Sequence, residues 1–553
     1  LGGAALGGAL DLITRVGPAP DGHRLRLDVG GGSFGARHLG ARWVDGRADG
    51  SLGWHLAARY AGATGDYPYF DDRGTNLNQS DDAIVTRSNN GHDQIDLVAR
   101  VAGGGAGTRA RGGLRATARR QGVPGSGSVQ SMTASLDSAG AVADGAIDRQ
   151  GLTGSDRLAG GAAGWLSAEV QEYRDLDGEI GLSAQHLRYR ILATGLRTHL
   201  GWAAPGGHRI SAAVDGGLDW FAQTDLTDGG TARGHGLRLS GGAAAADDWR
   251  LAGDRIVLQP ALRVDLLRTN PLGGADPDLA EPTRTEAHPS PRLAARAALA
   301  PALAIKASAG RYFRAPTVVE LYGDRGWLVG NPALRAETGE NADLGLVWAP
   351  DRRLGAADRL YAEVAGFAAR PRDTIVYVPT AGLAAAPLNL GGARILGVEA
   401  AASARLGAVA TLTANYTLLD TRQRSSTPSY DGRRLPQRPR HQLYARVDAA
   451  RRVGHRLLVV WTDASLIAGN YLDPGNVSPV PARRLLGAGI KVEPIPDLLL
   501  GIEVANLTDE RIESIGLDPP PRPDLTEVPR AISDFFGYPL PGRAIYVRAE
   551  WAH

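Results

Sequence analysis

The sequence predicts an all-β fold, a transmembrane antiparallel β-barrel of about 22 strands with short periplasmic turns and long extracellular loops. Three observations carry the prediction. Side chains alternate between apolar and polar over stretches longer than soluble strands usually reach. Very short turns and long polar loops alternate between those stretches, the layout of a barrel whose connections are tight on one side of a membrane and extended on the other. No apolar run approaches the roughly 20 residues a membrane-spanning helix requires, which excludes a helical membrane protein.

Taken from the N-terminus, Leu1–Arg15 (LGGAALGGALDLITR) is a run of small residues leading into a short strand-like stretch, and the barrel is read from residue 16 to residue 553. Gly31-Gly32-Ser33-Phe34-Gly35 reads as a hairpin between two strands. Long loops are expected at Ala63–Asn90, Asn270–Ser290, Arg314–Ala336, Thr421–Pro439 and Asp509–Pro541, and short turns at Gly103–Gly107, Ala204–Gly207 and Leu406-Gly407. Ile256–Leu266 and His441–Val447 alternate between these. So does Leu498–Ala505, with Leu498, Leu500, Ile502 and Val504 opposite Leu499, Gly501, Glu503 and Ala505. In the final stretch Ile545, Val547, Ala549 and Trp551 share one face, and Tyr546, Arg548 and Glu550 the other. One face suits lipid and the other tolerates water. Closure pairs the backbone groups between strands, so only the apolar face meets hydrocarbon. A soluble sandwich, propeller or solenoid could use the same alternation, but no repeat recurs at a fixed period, and a sandwich rarely grows to 553 residues as one domain.

Composition removes other classes. A formal net charge of +2 with scattered arginines is not the basic field of a nucleic-acid binder, so no nucleic acid is expected as a partner. With no Cys there is no disulfide framework, thiolate metal site or Cys nucleophile, which suits a barrel crossing an oxidising periplasm unfolded. Gly31–Gly35 satisfies G-x-S-x-G, but Ser33 would be a nucleophile only at a strand-to-helix elbow, and here two strands are expected to flank it. The 12 His residues form no H-E-x-x-H, and no phosphate-binding or dinucleotide fingerprint is present. Neither an enzyme, a cofactor nor a metal site is expected.

The second half of the chain carries ordered motifs. Arg311-Tyr312-Phe313-Arg314-Ala315-Pro316 leads through Glu320-Leu321-Tyr322 to Gly330-Asn331-Pro332-Ala333-Leu334, Glu337 and Glu340. Asn389, Gly391 and Gly392 precede Gly397-Val398-Glu399; Leu435-Pro436 precedes Arg438-Pro439-Arg440-His441; Asn506-Leu507-Thr508-Asp509 precedes Gly537-Tyr538-Pro539 and Pro541-Gly542-Arg543. In composition and order these resemble the TonB-dependent outer-membrane receptors. Gln259-Pro260 with Arg263 and Ser290-Pro291-Arg292 also fit, and Leu1–Arg15 resembles the last stretch of that family's plug domain. The rest of the plug and the TonB box are not in this sequence. The family usually finishes on an aromatic residue, a role expected of Trp551 ahead of Ala552 and His553.

The resemblance implies a bacterial outer-membrane location, among outer-membrane lipids, and uptake of a scarce small-molecule nutrient such as a ferric siderophore, cobalamin or a similar chelate. It also implies a plug domain, encoded upstream or on a separate chain, through which the TonB complex supplies the work. Ligand contact is expected from loop residues, because concave, partly apolar surfaces with a few hydrogen-bonding groups orient small molecules. Tyr322, Asp324, Arg325 and Trp327 are the first group of expected contacts, and Tyr67, Tyr69 and Phe70 the second. The neighbouring Asp71, Asp72, Asn76, Asn78, Asp81 and Asp82 lack the spacing of a calcium loop and read as Asx-turns. Arg314, Pro316, Glu320 and Glu337 read as fixing loop geometry. Two alternatives from other classes stay open: a plug-free pore or structural barrel within a larger envelope assembly, and an outer-membrane enzyme with a Ser-His site.

Overall fold

A computed structural model describes residues 24–553 apart from 76, 182, 228, 275–282, 327, 352, 380–384, 408, 455, 518–519 and 535–537. The plug-like Leu1–Arg15, Asn76 and Trp327 therefore lie outside the described residues. One sheet dominates, with 22 strands in antiparallel pairing. It is closed: the first strand, Leu25–Gly32, pairs on one side with Ala36–Gly46 and on the other with the last strand, Ala544–Ala552. At the lower end of that seam the backbone N–H groups of Arg24 and Leu25 both donate to the carbonyl of His553, at 2.6 and 2.9 Å. At the upper end the Ile545 N–H donates to the Ser33 hydroxyl at 2.9 Å. Ser33 thus sits on a strand-to-strand turn, Ser33–Gly35, with its hydroxyl fastening the seam.

The sheet is inside-out compared with a soluble barrel. Leu196, Val214, Leu344 and Val547 are 62%, 61%, 57% and 53% exposed on the outer face. Inward positions of the sheet carry charge: Arg263 pairs with Asp215 at 2.7 Å and Asp265 at 2.6 Å, Arg238 with Asp219 at 2.7 Å, and Arg100 with Asp144 at 2.6 Å. An apolar exterior of this extent is tolerable only where hydrocarbon replaces water. The longest strand, Thr231–Leu251, has 21 residues and at ~3.3 Å per residue runs roughly 70 Å, so its ends project beyond an apolar band ~25 Å tall.

Connections at one end of the barrel are turns such as 106–107, 301–302 and 496–497; at the other they include 64–91, 315–336, 373–391 and 506–543. One expected loop is shorter than the sequence suggests. The sequence reads Asn270–Ser290 as a long loop, yet strand pairing resumes at Arg284 opposite Thr269, with Pro289 and Pro291 opposite Val264 and Leu262. Arg284–Pro291 pairs with the preceding strand alone, since the ladder to the next begins at Arg292. A proline without an N–H is tolerated where one side of the strand is unpaired.

Candidate functional site

The long-loop end holds both groups of expected ligand contacts, and the structure treats them differently. The loop 315–336 begins at a clamp. The Arg314 guanidinium donates to both carboxylate oxygens of Glu337, at 2.9 and 2.8 Å, and to Glu320 at 3.0 Å. Such a bidentate fork fixes direction as well as distance. Thr317 and Glu320 then form a capping box, the Thr317 N–H donating to the Glu320 carboxylate at 2.7 Å and the Glu320 N–H to the Thr317 hydroxyl at 3.1 Å. This starts a single helical turn, α1 (Val318–Tyr322), which the short-range pattern T-x-x-E favours.

The helix lies against the inner wall. Val318 and Tyr322 pack on a cluster of Tyr173, Leu187, Tyr189 and Phe221, and the Tyr322 ring stacks on Phe221 with centroids 5.9 Å apart. Gly236 makes room, because a Cβ there would stand 2.4 Å from the Tyr322 ring. The Tyr322 hydroxyl is buried and without a hydrogen-bond partner, and burial pushes its pKa up to about 12 while the nearby Arg238 acts weakly in the other direction. Arg238 itself donates to Asp219 and to the Pro316 carbonyl, which ties the start of the loop to the wall.

Beyond the helix, Asp324-Arg325 pairs with Leu328-Val329, and Leu328 lies parallel to Ala385 of the next long loop. The tip between them is held by Gln185, whose side chain accepts from the Gly326 N–H at 2.6 Å and donates to the Gly326 carbonyl at 2.9 Å. Asp324 and Arg325 are thereby placed on a short hairpin fastened over the barrel wall. Gly330 must be glycine, since a Cβ would come within 2.8 Å of the Gly323 backbone.

Tyr67, Tyr69 and Phe70 occupy a different kind of place. All three are buried, Tyr69 to 1% exposure. The Tyr67 hydroxyl donates to the Pro539 carbonyl, and the Tyr69 hydroxyl to the Gly127 carbonyl at 2.5 Å. Arg87 lies over the rings of Tyr69 and Tyr538, 5.8 and 5.7 Å from their centroids, and donates to the carbonyls of Gly125 and Ser126. The structure therefore brings this group to a joint between the loops 64–91, 123–134 and 506–543. Beside it, Glu179 accepts from the Ser131 hydroxyl at 2.6 Å and from the N–H groups of Met132 and Thr133 at 2.9 and 2.8 Å. Those bonds, the Ser131 hydroxyl first, hold the Glu179 pKa down to about 2. The acidic neighbours behave as turns: Asp71 and Asp72 accept from the N–H groups of Arg73 and Gly74, both at 3.0 Å.

A family model for the TonB dependent receptor-like β-barrel matches residues 24–507 of the 553. The chain belongs to the TonB-dependent receptor family. No curated protein matches it in sequence. Solved receptors share the fold. BauA, the ferric preacinetobactin receptor of Acinetobacter baumannii, superposes with a TM-score of 0.70 at 13% identity, covering 98% of this chain and 81% of its own. The copper transporter OprC gives 0.72 at 16% identity, covering 98% and 81%. FyuA, the ferric yersiniabactin uptake receptor of Yersinia pestis, gives 0.68 at 12%, covering 96% and 80%. This family and this fold are those of outer-membrane transport receptors.

In this TonB-dependent receptor the motif residues turn out to be loop anchors. Asn331 donates to the Pro387 carbonyl at 2.8 Å, and Asn389 accepts from the Arg335 N–H at 2.8 Å, so two motifs lock adjacent loops together. The Leu435 N–H donates to Thr421 at 3.0 Å, and Asp509 accepts from the Arg543 N–H at 2.7 Å. Sequence reading missed Gln185, Phe221 and Arg238, the wall residues that seat the lid. None belongs to a motif; the available signal was only that each lies on the inward, otherwise polar face of a long strand.

Proposed function

We propose that this receptor takes up a scarce metal chelate, a ferric siderophore, cobalamin or a similar complex, bound by the loop end of the barrel. The observation that carries the reading is the inward-folded loop 315–336, whose helix places a tyrosine with an unbonded hydroxyl beside Arg238 on the wall of the lumen. The hydroxyl is covered in this arrangement, so the ligand would meet it as the loop shifts; stacked rings with one unpaired donor and a nearby cation suit a flat, anionic, partly aromatic ligand. Tyr322, Asp324, Arg325 and Trp327 are the proposed contacts, with Tyr67, Tyr69 and Phe70 acting behind them by holding the other loops. That the structural relatives include receptors for ferric preacinetobactin and ferric yersiniabactin and a copper transporter is in keeping with a chelated metal as cargo. A plug domain, to which Leu1–Arg15 would belong, would close the lumen, and the TonB complex would move it, since the outer membrane holds no nucleotide energy source.

The test is growth and radiolabelled uptake in an iron-limited strain lacking its own receptors, supplied with this receptor and its plug. The probes are ferric catecholate, hydroxamate and phenolate siderophores, copper and cobalamin. Uptake of at least one probe should depend on the receptor and should fall on deletion of Tyr322–Leu328 in a barrel that still assembles. Receptor-independent uptake of every probe would end the proposal, and unchanged uptake after the deletion would remove the loop from it.

A further inference from the structure

The outer wall built by strands Glu337–Trp348, Ala357–Arg372, Gly392–Leu406 and Ala410–Arg424 carries a groove of about 470 Å³. Its outward lining is apolar at Leu344, Gly366, Ala368, Leu396, Val398 and Leu418, and carries one carboxylate, Asp420 opposite Leu396, at the rim nearest the long loops. These positions are adjacent in register, Leu344 opposite Gly366, Gly366 opposite Val398 and Val398 opposite Leu418. The groove exists because Gly366 and Ala368 replace the long apolar side chains found on the flanking strands. Below it the outward face stays apolar, as in Ala400, Ala402, Ala404 and Leu406.

Directly above it, toward the long loops, the outward face changes to arginine. One row crosses Glu340, Arg370, Arg394 and Arg422, and the next brings in Arg372 and Arg424. Five arginines thus meet two carboxylates, Glu340 and Asp420. Arg394, Arg422 and the loop residue Arg434 share Asp420 at 3.7, 3.3 and 3.8 Å, and Arg372 reaches Glu340 at 3.2 Å. Arg370 and Arg424 make no ion pair among the described residues, and the buried Nε of Arg394 has no hydrogen-bond partner. Arginine facing lipid is unfavourable at the bilayer midplane and becomes tolerable only near the interface, where guanidinium groups reach anionic headgroups. An excess of arginine on that face needs anions supplied from outside the protein.

We propose that this wall binds a phosphorylated, multiply acylated lipid of the leaflet at the long-loop end: one acyl chain fills the groove and the headgroup phosphate lies across Arg370, Arg394 and Arg422. A guanidinium matches phosphate bidentately, so three of them at adjacent register positions select phosphate over a neutral sugar. The site is on the outside of the barrel and independent of the nutrient bound within.

The experiment is native mass spectrometry of the detergent-purified receptor titrated with bisphosphorylated lipid A, dephosphorylated lipid A or phosphatidylglycerol. The receptor should retain bisphosphorylated lipid A at least tenfold better than the dephosphorylated form. Retention should fall about tenfold in Arg370→Gln/Arg394→Gln/Arg422→Gln and, separately, in Gly366→Leu/Ala368→Leu, which fills the groove without touching charge. Arg120→Gln, outward on a distant strand, should leave it unchanged. Equal retention of the dephosphorylated lipid, equal retention by both multiple variants, or a receptor dimer in place of bound lipid would overturn the proposal. Preference for phosphatidylglycerol would replace the glycolipid with a phospholipid and overturn the stated occupant.

Discussion

Two aromatic clusters sit at the mouth of this barrel and are built on opposite terms. At the joint of the loops 64–91, 123–134 and 506–543, Tyr67 and Tyr69 are buried and both hydroxyls have carbonyl partners. In the lid, Tyr322 is stacked against Phe221 with its hydroxyl buried and unpaired. A satisfied buried phenol strengthens a joint. An unsatisfied one weakens its own loop by about 1–3 kcal/mol. The first cluster is therefore a joint with every hydroxyl paired, and the second a joint with one donor left unpaired.

The largest test of that contrast is at the lid's clamp. Arg314→Ala leaves Glu337, 5% exposed, without its cation, and breaking one partner of such a pair is worth about 3–5 kcal/mol. The lid should become protease-sensitive at residues 315–336 while the barrel keeps its resistance to heated detergent. Tyr69→Ala should have a comparable effect of about 3–5 kcal/mol on the other side, exposing 64–91 and 123–134 to protease and leaving the lid protected. Cleavage of both loop groups in either variant would show that they are one unit.

A smaller and sharper test uses phenylalanine. Tyr67→Phe removes a donor from the Pro539 carbonyl and should cost about 1–2 kcal/mol, seen as faster amide exchange in both loops it joins. Tyr322→Phe removes a hydroxyl that has no partner and should leave the lid as protected as before or more so by about 1 kcal/mol, while weakening ligand uptake. Destabilisation of equal size in the two would erase the distinction.

The smallest effects are those of pH, and they run in opposite directions. The Glu179 pKa is lowered from 4.5 to about 2, so its contribution to the joint is complete above 4.5 and is lost as pH falls toward about 2. The Tyr322 pKa is raised from 10.0 to about 12, so the lid has its full stability below 10.0 and loses it as pH rises through about 12. Acid should therefore release the Met132–Ala134 amides first, and alkali the lid first, followed by amide exchange and by tyrosinate absorbance. Loss of both at the same pH would contradict the assignment.

The barrel was legible because its period-2 alternation is a local property. Each strand declares its two faces within ten residues, as Ile545–Trp551 and Leu498–Ala505 do, and the short turns declare which end is which. The mouth was legible only in part. The strand-end motifs could be located, but what they hold could not, because the contacts are remote: Tyr67 meets Pro539 472 residues away, and Gln185 meets Gly326 141 residues away. No local pattern encodes such a pairing. The extent of the loop Asn270–Ser290 was hidden for a related reason, since whether a proline such as Pro289 interrupts a strand depends on whether its neighbour is paired on that side.

The seam between Leu25–Gly32 and Ala544–Ala552 has a consequence in time rather than in space. Its two edges are made at opposite ends of the chain, so the first strand must wait, half-satisfied, until the last has been delivered. Partial barrels have two exposed edges in a medium that offers no water to bind them, and no subset of strands is a stable resting point. Backbone pairing of the Leu25–Gly32 edge is thus complete only once Ala544–Ala552 has arrived, so the last strand to be made is the one that closes the barrel.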